Sequence, residues 1–139
     1  MSVVTGKRSQ GKLRVLNDAS QVVRYTLSTV KNEKVFPKSY RWLLSQKIAD
    51  EAVDAYACIR RANAVNVKNA KDYEYRRDQQ LRAYAHLEAL LGLVDVAFNV
   101  LNIEARRIEY WTGLILTVEN SLKNWGKSDK NRYSGFVES

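Results

Sequence analysis

The sequence predicts an all-α protein, folded as an antiparallel four-helix bundle. Three observations point that way. Only one proline and six glycines punctuate 139 residues, which favours long helices over many short strands. Four stretches repeat apolar residues at steps of three and four, the period of a helix with one buried face. No stretch alternates apolar and polar residues as a half-buried strand would, and no segment repeats. With 45% hydrophobic and 27% charged residues, the composition is that of one globular domain with one core.

The elements follow in order. Residues 1–15, rich in Lys, Arg, Ser and Gly, read as a flexible basic arm. The bundle occupies 16–126. Its first helix is expected from Asn17 or Asp18 to Asn32, with Leu16, Ala19, Val23, Leu27 and Val30 on one face and Asn17, Asp18 and Ser20 as candidate N-caps. Pro37 forbids a continuous helix and pushes Phe36 toward extended geometry. The second helix is expected from Lys38 or Ser39 to Asn63. One ridge is Leu44, Ile48, Ala52, Ala55 and Ile59, and an adjoining one is Ala49, Val53 and Tyr56. Residues 64–69 connect.

The third helix, Ala70–Asn102, carries a near-heptad seam of Leu81, Tyr84, Leu87, Leu91, Val94, Phe98 and Leu101, with Gly92 placed for a close helix approach. The fourth, Ile103–Trp125, carries Ile108, Trp111, Ile115, Val118, Leu122 and Trp125. Gly126 reads as its C-cap, and 127–139 as a flexible basic tail. Leu90, Leu93, Val96, Val100, Leu114 and Leu116 lie off these seams, a surplus that suits either an oligomer interface or a wide packed face.

The formal charge is +8, and it is unevenly placed. Residues 1–40 hold eight Lys/Arg against Asp18 and Glu33, and 123–132 hold Lys123, Lys127, Lys130 and Arg132 against Asp129 alone. Such clustering suits a polyanion and predicts salt-sensitive, weakly sequence-specific binding. Lys38, Arg41 and Lys47 crowd a helix N-terminus, where positive charge opposes the macrodipole. A sequence tuned only for helix stability would place acids there, so phosphate or an acidic protein surface is the expected partner. The neighbouring aromatics have structural roles open to them: Phe36 as a staple, Tyr40 or Trp42 closing the core. Arg60 and Arg61 are candidate partner-binding residues, although they also suit the end of the second helix electrostatically. Arg76 and Arg77 sit among Asp72, Glu74 and Asp78 and are expected to pair with them.

Catalytic patterns are missing from the sequence. His86 is the only histidine and Cys58 the only cysteine, so zinc-ligand spacing is lacking. A His–Cys dyad has no local support, and no Glu-x-x-His pair exists for a di-iron site. "GKS" at 126–128 has Leu122 where a P-loop needs Gly. Asp50, Glu51 and Asp54 read as a solvated acidic face. The expectation is a protein that is not an enzyme, with no cofactor and no metal. A lone cysteine suggests a reducing compartment. The first 15 residues lack the apolar core of a secretion signal, and the apolar stretches look too interrupted by charge to span a bilayer. A soluble, cytoplasmic protein is expected.

Two segments carry a family resemblance. "FPKSYRWLLSQKIADEAVDAYACIRRANAV" (36–65) has an apolar residue, then Pro and a basic residue, then an amphipathic helix ending at a small-residue turn. "IEARRIEYWTGLILTVENSLKNWGKSDKNRYSG" (103–135) has a late Trp followed by Lys/Arg-rich residues. Together they resemble the four-helix-bundle family of diversity-generating retroelement accessory variability determinant (Avd) proteins and ribosomal-RNA intervening-sequence proteins. The resemblance spans the helical body and implies a homopentameric barrel with a basic surface. It implies a non-catalytic accessory protein that binds a retroelement reverse transcriptase, RNA and possibly DNA, and supports adenine-mutagenic cDNA synthesis from the template-repeat RNA. Pro37, Lys38, Arg41, Trp125, Lys127, Lys130 and Arg132 occupy its matching positions; the basic arm 1–15 is less clearly part of the pattern, and no role is carried over to it. The alternative is a structural interaction protein of the intervening-sequence type, with the same fold and no reverse transcriptase partner. A small bundle enzyme or metal carrier is the third class, and the missing ligand spacing argues against it.

Overall fold

A computed structural model describes the backbone of residues 3–136 and the side chains from Arg14 to Phe136. The expectations for Met1, Ser2 and residues 137–139, and for the Lys7, Arg8 and Lys12 side chains, fall outside the described residues. Within them the chain is all-helical: α1 (Val3–Lys31), α2 (Gln46–Ala64), α3 (Ala70–Val100) and α4 (Ala105–Arg132), with short turns at Lys38–Tyr40, Arg41–Ser45 and Ser134–Phe136. α1 packs on α2 and α4, and α3 packs on the same two helices. The register is antiparallel. Glu51 meets His86 and Val65 meets Arg76 across α2 and α3, while Asp129 meets Arg76 across α4 and α3.

α1 begins at Val3, not near Asn17, so Asn17, Asp18 and Ser20 lie inside it and cap nothing. Val15, Ala19 and Val22 are buried at helical spacing, together with Thr26 and Thr29. Asn and Asp in a helix interior cost less than about 1 kcal/mol each, too little to break a helix with such a face. Leu27, expected inside, is exposed.

The Pro37 break closes economically. Asn32 O accepts from the backbone N–H groups of Val35 (2.9 Å) and Phe36 (2.8 Å), and Asn32 Oδ1 accepts from Lys34 N–H at 3.0 Å. Phe36 is buried and meets Trp111 edge-on, ring centroids 6.1 Å apart. The helix expected directly after Pro37 is replaced by a 3₁₀ turn and then a π turn, and regular α2 starts only at Gln46. The π turn turns Leu44 and Ser45 inward and leaves Arg41, Trp42 and Leu43 outside. Trp42 therefore does not close the core; Tyr40 packs half-buried against it.

α2 buries the expected Leu44–Ile48–Ala52–Ala55–Ile59 ridge, extended by Cys58 and Ala62. Val53 is exposed. α3 is capped by Asn69, whose Oδ1 accepts from Asp72 N–H at 2.9 Å, while Asp72 Oδ2 accepts from Lys68 N–H at 3.1 Å. Its buried face is Tyr73, Arg76, Gln80, Ala83, Leu87, Leu90, Val94 and Ala97. Leu81 and Phe98, expected on the seam, face outward, and Leu90, expected off it, is fully buried. A Cβ on Gly92 would meet nothing within 4 Å, so no helix approaches there. α3 is also long and apolar enough by length and composition to cross a membrane, contrary to the expectation for this chain. Only 28% of that apolar window is buried in the bundle; Leu87, Leu90, Val94 and Ala97 face inward, while Val96, Phe98 and Val100 face outward.

α4 buries Trp111, Ile115, Val118, Leu122 and Trp125 as expected, and Trp111 Nε1–H donates to Thr26 Oγ1 at 3.0 Å in the core. Gly126 does not end it. The helix runs to Arg132, and no glycine has positive φ among the described residues. The expected loose tail is thus helical to Arg132 and closes with a 3₁₀ turn at Ser134–Phe136. Asp129 supplies the reason.

Candidate nucleic-acid interface

Arg76 is 2% exposed and Asp129 1% exposed. Arg76 Nη1 lies 3.3 Å from Asp129 Oδ1, Gln80 Nε2–H donates to Asp129 Oδ2 at 3.0 Å, and Arg76 Nη2–H donates to Val65 O. The guanidinium also lies 5.8 Å from the Trp125 ring centroid and 5.9 Å from that of Tyr133. Arg76 does not pair with Asp72, Glu74 or Asp78: Asp78 binds Arg82 at 2.8 Å, and Asp72 caps α3. The single acid within the basic 123–132 cluster is therefore turned into the core, and the lysines on either side of it are turned out.

Lys123, Lys127 and Lys130 recur at steps of four and three on α4 and share one exposed face. They line a groove of about 380 Å³ between α3 and α4. α3 contributes Arg77, Gln80, Leu81 and Tyr84 to it, and α4 also contributes Leu122 and Gly126. Four cationic side chains rim an apolar floor, and among the described residues no carboxylate lines it. Lys123 Nζ sits 5.2 Å from the Tyr84 ring centroid. Hydrogen bonding to Tyr84 is the main cause that raises its ammonium above the ordinary lysine range. Beyond the groove, Glu119 lies buried with Oε2 unpartnered. Burial first, then Glu88, push its carboxyl up to about 7.

The other expected binding residues are dispersed. Lys38 is exposed, 3.7 Å from Glu33, and with Arg41 lines a small cavity beside Pro37. Lys47 and Arg60 are exposed on α2. Arg61 lines a polar cavity between α2 and α3 with Asp54, Cys58, Asp78, Arg82 and His86. Arg132 sits apart from the groove, its guanidinium 5.8 Å from the Tyr133 ring. Next to Arg41, Trp42 is 72% and Leu43 69% exposed.

Cys58 and His86 share a cavity wall, but among the described residues His86 Nδ1 bonds Glu51 Oε2, at 2.7 Å. Glu51 is thus not simply solvated, as the acidic-patch reading had it. Burial is the main cause that pushes the Cys58 thiol up, which disfavours the nucleophilic thiolate. No group of three or more metal-ligating side chains occurs among the described residues.

Sequence reasoning found the three lysines and missed their partners across the groove. Arg77, Leu81 and Tyr84 fall at helical spacing on α3, but which stretch of α4 they face depends on helix register, which local sequence does not carry. Compared with family models, curated proteins and solved structures, the chain matches none of them.

Proposed function

We propose that the protein is a non-catalytic, nucleic-acid-binding accessory subunit of a diversity-generating retroelement, acting beside a reverse transcriptase and its template RNA. One observation carries the nucleic-acid part: Lys123, Lys127 and Lys130 converge with Arg77 on a single groove that no carboxylate lines among the described residues. Such a surface attracts phosphate by charge and releases counterions on binding. The reverse transcriptase part rests on the sequence resemblance at 36–65 and 103–135. It is supported by Trp42 and Leu43 projecting beside Arg41, since exposed Trp and Arg are the side chains that most often anchor protein interfaces. A cytoplasmic homopentamer completes the proposal. Val96, Val100 and Leu116, all about half exposed, are available to self-association.

The test is co-purification of the tagged full chain with a retroelement reverse transcriptase and its template RNA from the same genome, at low and high salt, with mass determination of the free protein. A pentamer that holds both partners and sheds RNA at high salt is the expected result. A pentamer that holds neither would favour the intervening-sequence alternative, and a monomer that binds nothing would overturn the assembly as well.

A further inference from the structure

We propose that the α3–α4 groove takes single-stranded nucleic acid, with one unstacked base seated on its floor and the flanking phosphates on Lys123, Lys127 and Lys130. The inference rests on the nucleic-acid reading above and sharpens it. A site for duplex backbone needs only charge. This one has charge at the rim and an apolar floor of Leu81, Tyr84 and Leu122. Leu81 is 57% exposed, apolar area that a duplex, with its base faces already stacked, would leave uncovered. A single strand offers both a phosphate track and a free base face, the pairing used by sequence-tolerant single-strand binders.

Four features fit that occupant. The lysines follow one another along α4 at about 6 and 4.5 Å of helix rise, so they form a track and not a cluster. Lys123 Nζ lies 5.2 Å from the Tyr84 ring centroid, so a base stacked on that ring would exchange places with an ammonium that is then free to meet the flanking phosphate. Gly126 lines the groove between the lysines, and a Cβ there would touch only Gln80 Oε1, at 3.8 Å. The backbone of α4 is thereby left open to the groove beside the floor. The volume, about 380 Å³, falls in the range of small-ligand sites, about 300–1,000 Å³. An acidic amphipathic helix fits less well, because it needs a line of apolar anchors over two turns, and the floor offers Leu81 and Tyr84 with Leu122 beneath.

The test is fluorescence anisotropy with the full chain and three probes: a 12-nucleotide uridine RNA, a 12-base-pair RNA duplex, and a peptide of alternating Glu and Leu turns. The single strand should bind about tenfold more tightly than the duplex, the worth of roughly one base stack. Leu81→Gln and Tyr84→Ala should each remove most of that preference while duplex binding and its salt dependence stay unchanged. Leu81 is exposed, so its replacement keeps the test valid should Tyr84→Ala unfold. Equal binding of strand and duplex, unaffected by Leu81→Gln, would overturn the base seat and leave the nucleic-acid reading standing. Tighter binding of the peptide would overturn the base seat in favour of a protein occupant. Binding of no probe would overturn the nucleic-acid reading together with it.

Discussion

Two acids with opposite environments decide most at the residue scale. Asp129 is buried but held by Arg76 and Gln80. Replacing it with Ala strands a buried guanidinium, a loss of about 3–5 kcal/mol, to be read from urea unfolding of the variant against the parent. Glu119 is buried without such partners, and burial first, then Glu88, push its carboxyl up to about 7 from 4.5. The folded state then keeps a proton that the unfolded chain releases. This contribution to stability is full below about pH 4.5 and is lost as pH rises through about 7. Glu119→Gln should flatten the fall in urea midpoint between pH 5 and pH 8, and should be the more stable protein at pH 8. An unchanged slope would mean that another group carries it. Neither acid was legible in the sequence as buried: Asp129 stood among lysines and looked like a surface residue, and Glu119 sat between Val118 and Asn120 on a face that only the register of α3 covers.

Among the elements, α4 was the most legible and α3 the least. Trp111, Ile115, Val118, Leu122 and Trp125 are large and leave one possible inner face. α3 offers Leu, Tyr, Val and Phe on several faces, and its inner one is completed by Ala83, Ala97, Gln80 and Arg76, residue types that do not announce burial. The end of α4 was misread because Gly126 looks like a terminator; the Asp129 contact and the Tyr133 ring over Arg76 hold the helix through it. Since Gly126 is helical and its Cβ has room, Gly126→Ala should stabilise the protein by about 1 kcal/mol, measured by urea unfolding. A destabilised variant would mean that the groove floor tolerates no methyl. In the core, Thr26→Val should cost about 1–3 kcal/mol by leaving the Trp111 indole N–H unpaired, and tryptophan emission should report the change.

Over the whole molecule, two surfaces stand apart. The groove carries Lys123, Lys127, Lys130 and Arg77, while the π turn carries Trp42 and Leu43. Each of the four cations that contacts a phosphate should contribute about 0.7 to the log–log salt slope for a single strand. Lys127→Gln should lower the slope by that amount, whereas Lys47→Gln, at the start of α2 and outside the groove, should leave it unchanged. Trp42→Ala should cost the reverse transcriptase contact and spare RNA binding, as judged by pull-down with each partner separately. The clustering of the lysines was legible from composition along the chain. Their opposition to Arg77 and Tyr84 was not, because it is a property of two helices and not of either one.

The Arg76–Asp129 clasp also changes what a minimal fragment of this protein is. Sequence punctuation would place the last folded residue at Gly126, and a protease or a cloning primer guided by it would cut there. That cut would take away Asp129 and Tyr133, and leave Arg76 as an unanswered charge among Trp125, Gln80 and the end of α2. The segment after Gly126 acts as the bundle's stopper, and two lysines of the surface proposed to hold nucleic acid, Lys127 and Lys130, stand on its outside. A bound strand would therefore press the plug home, so ligand and fold should protect each other against trimming from the C-terminal end.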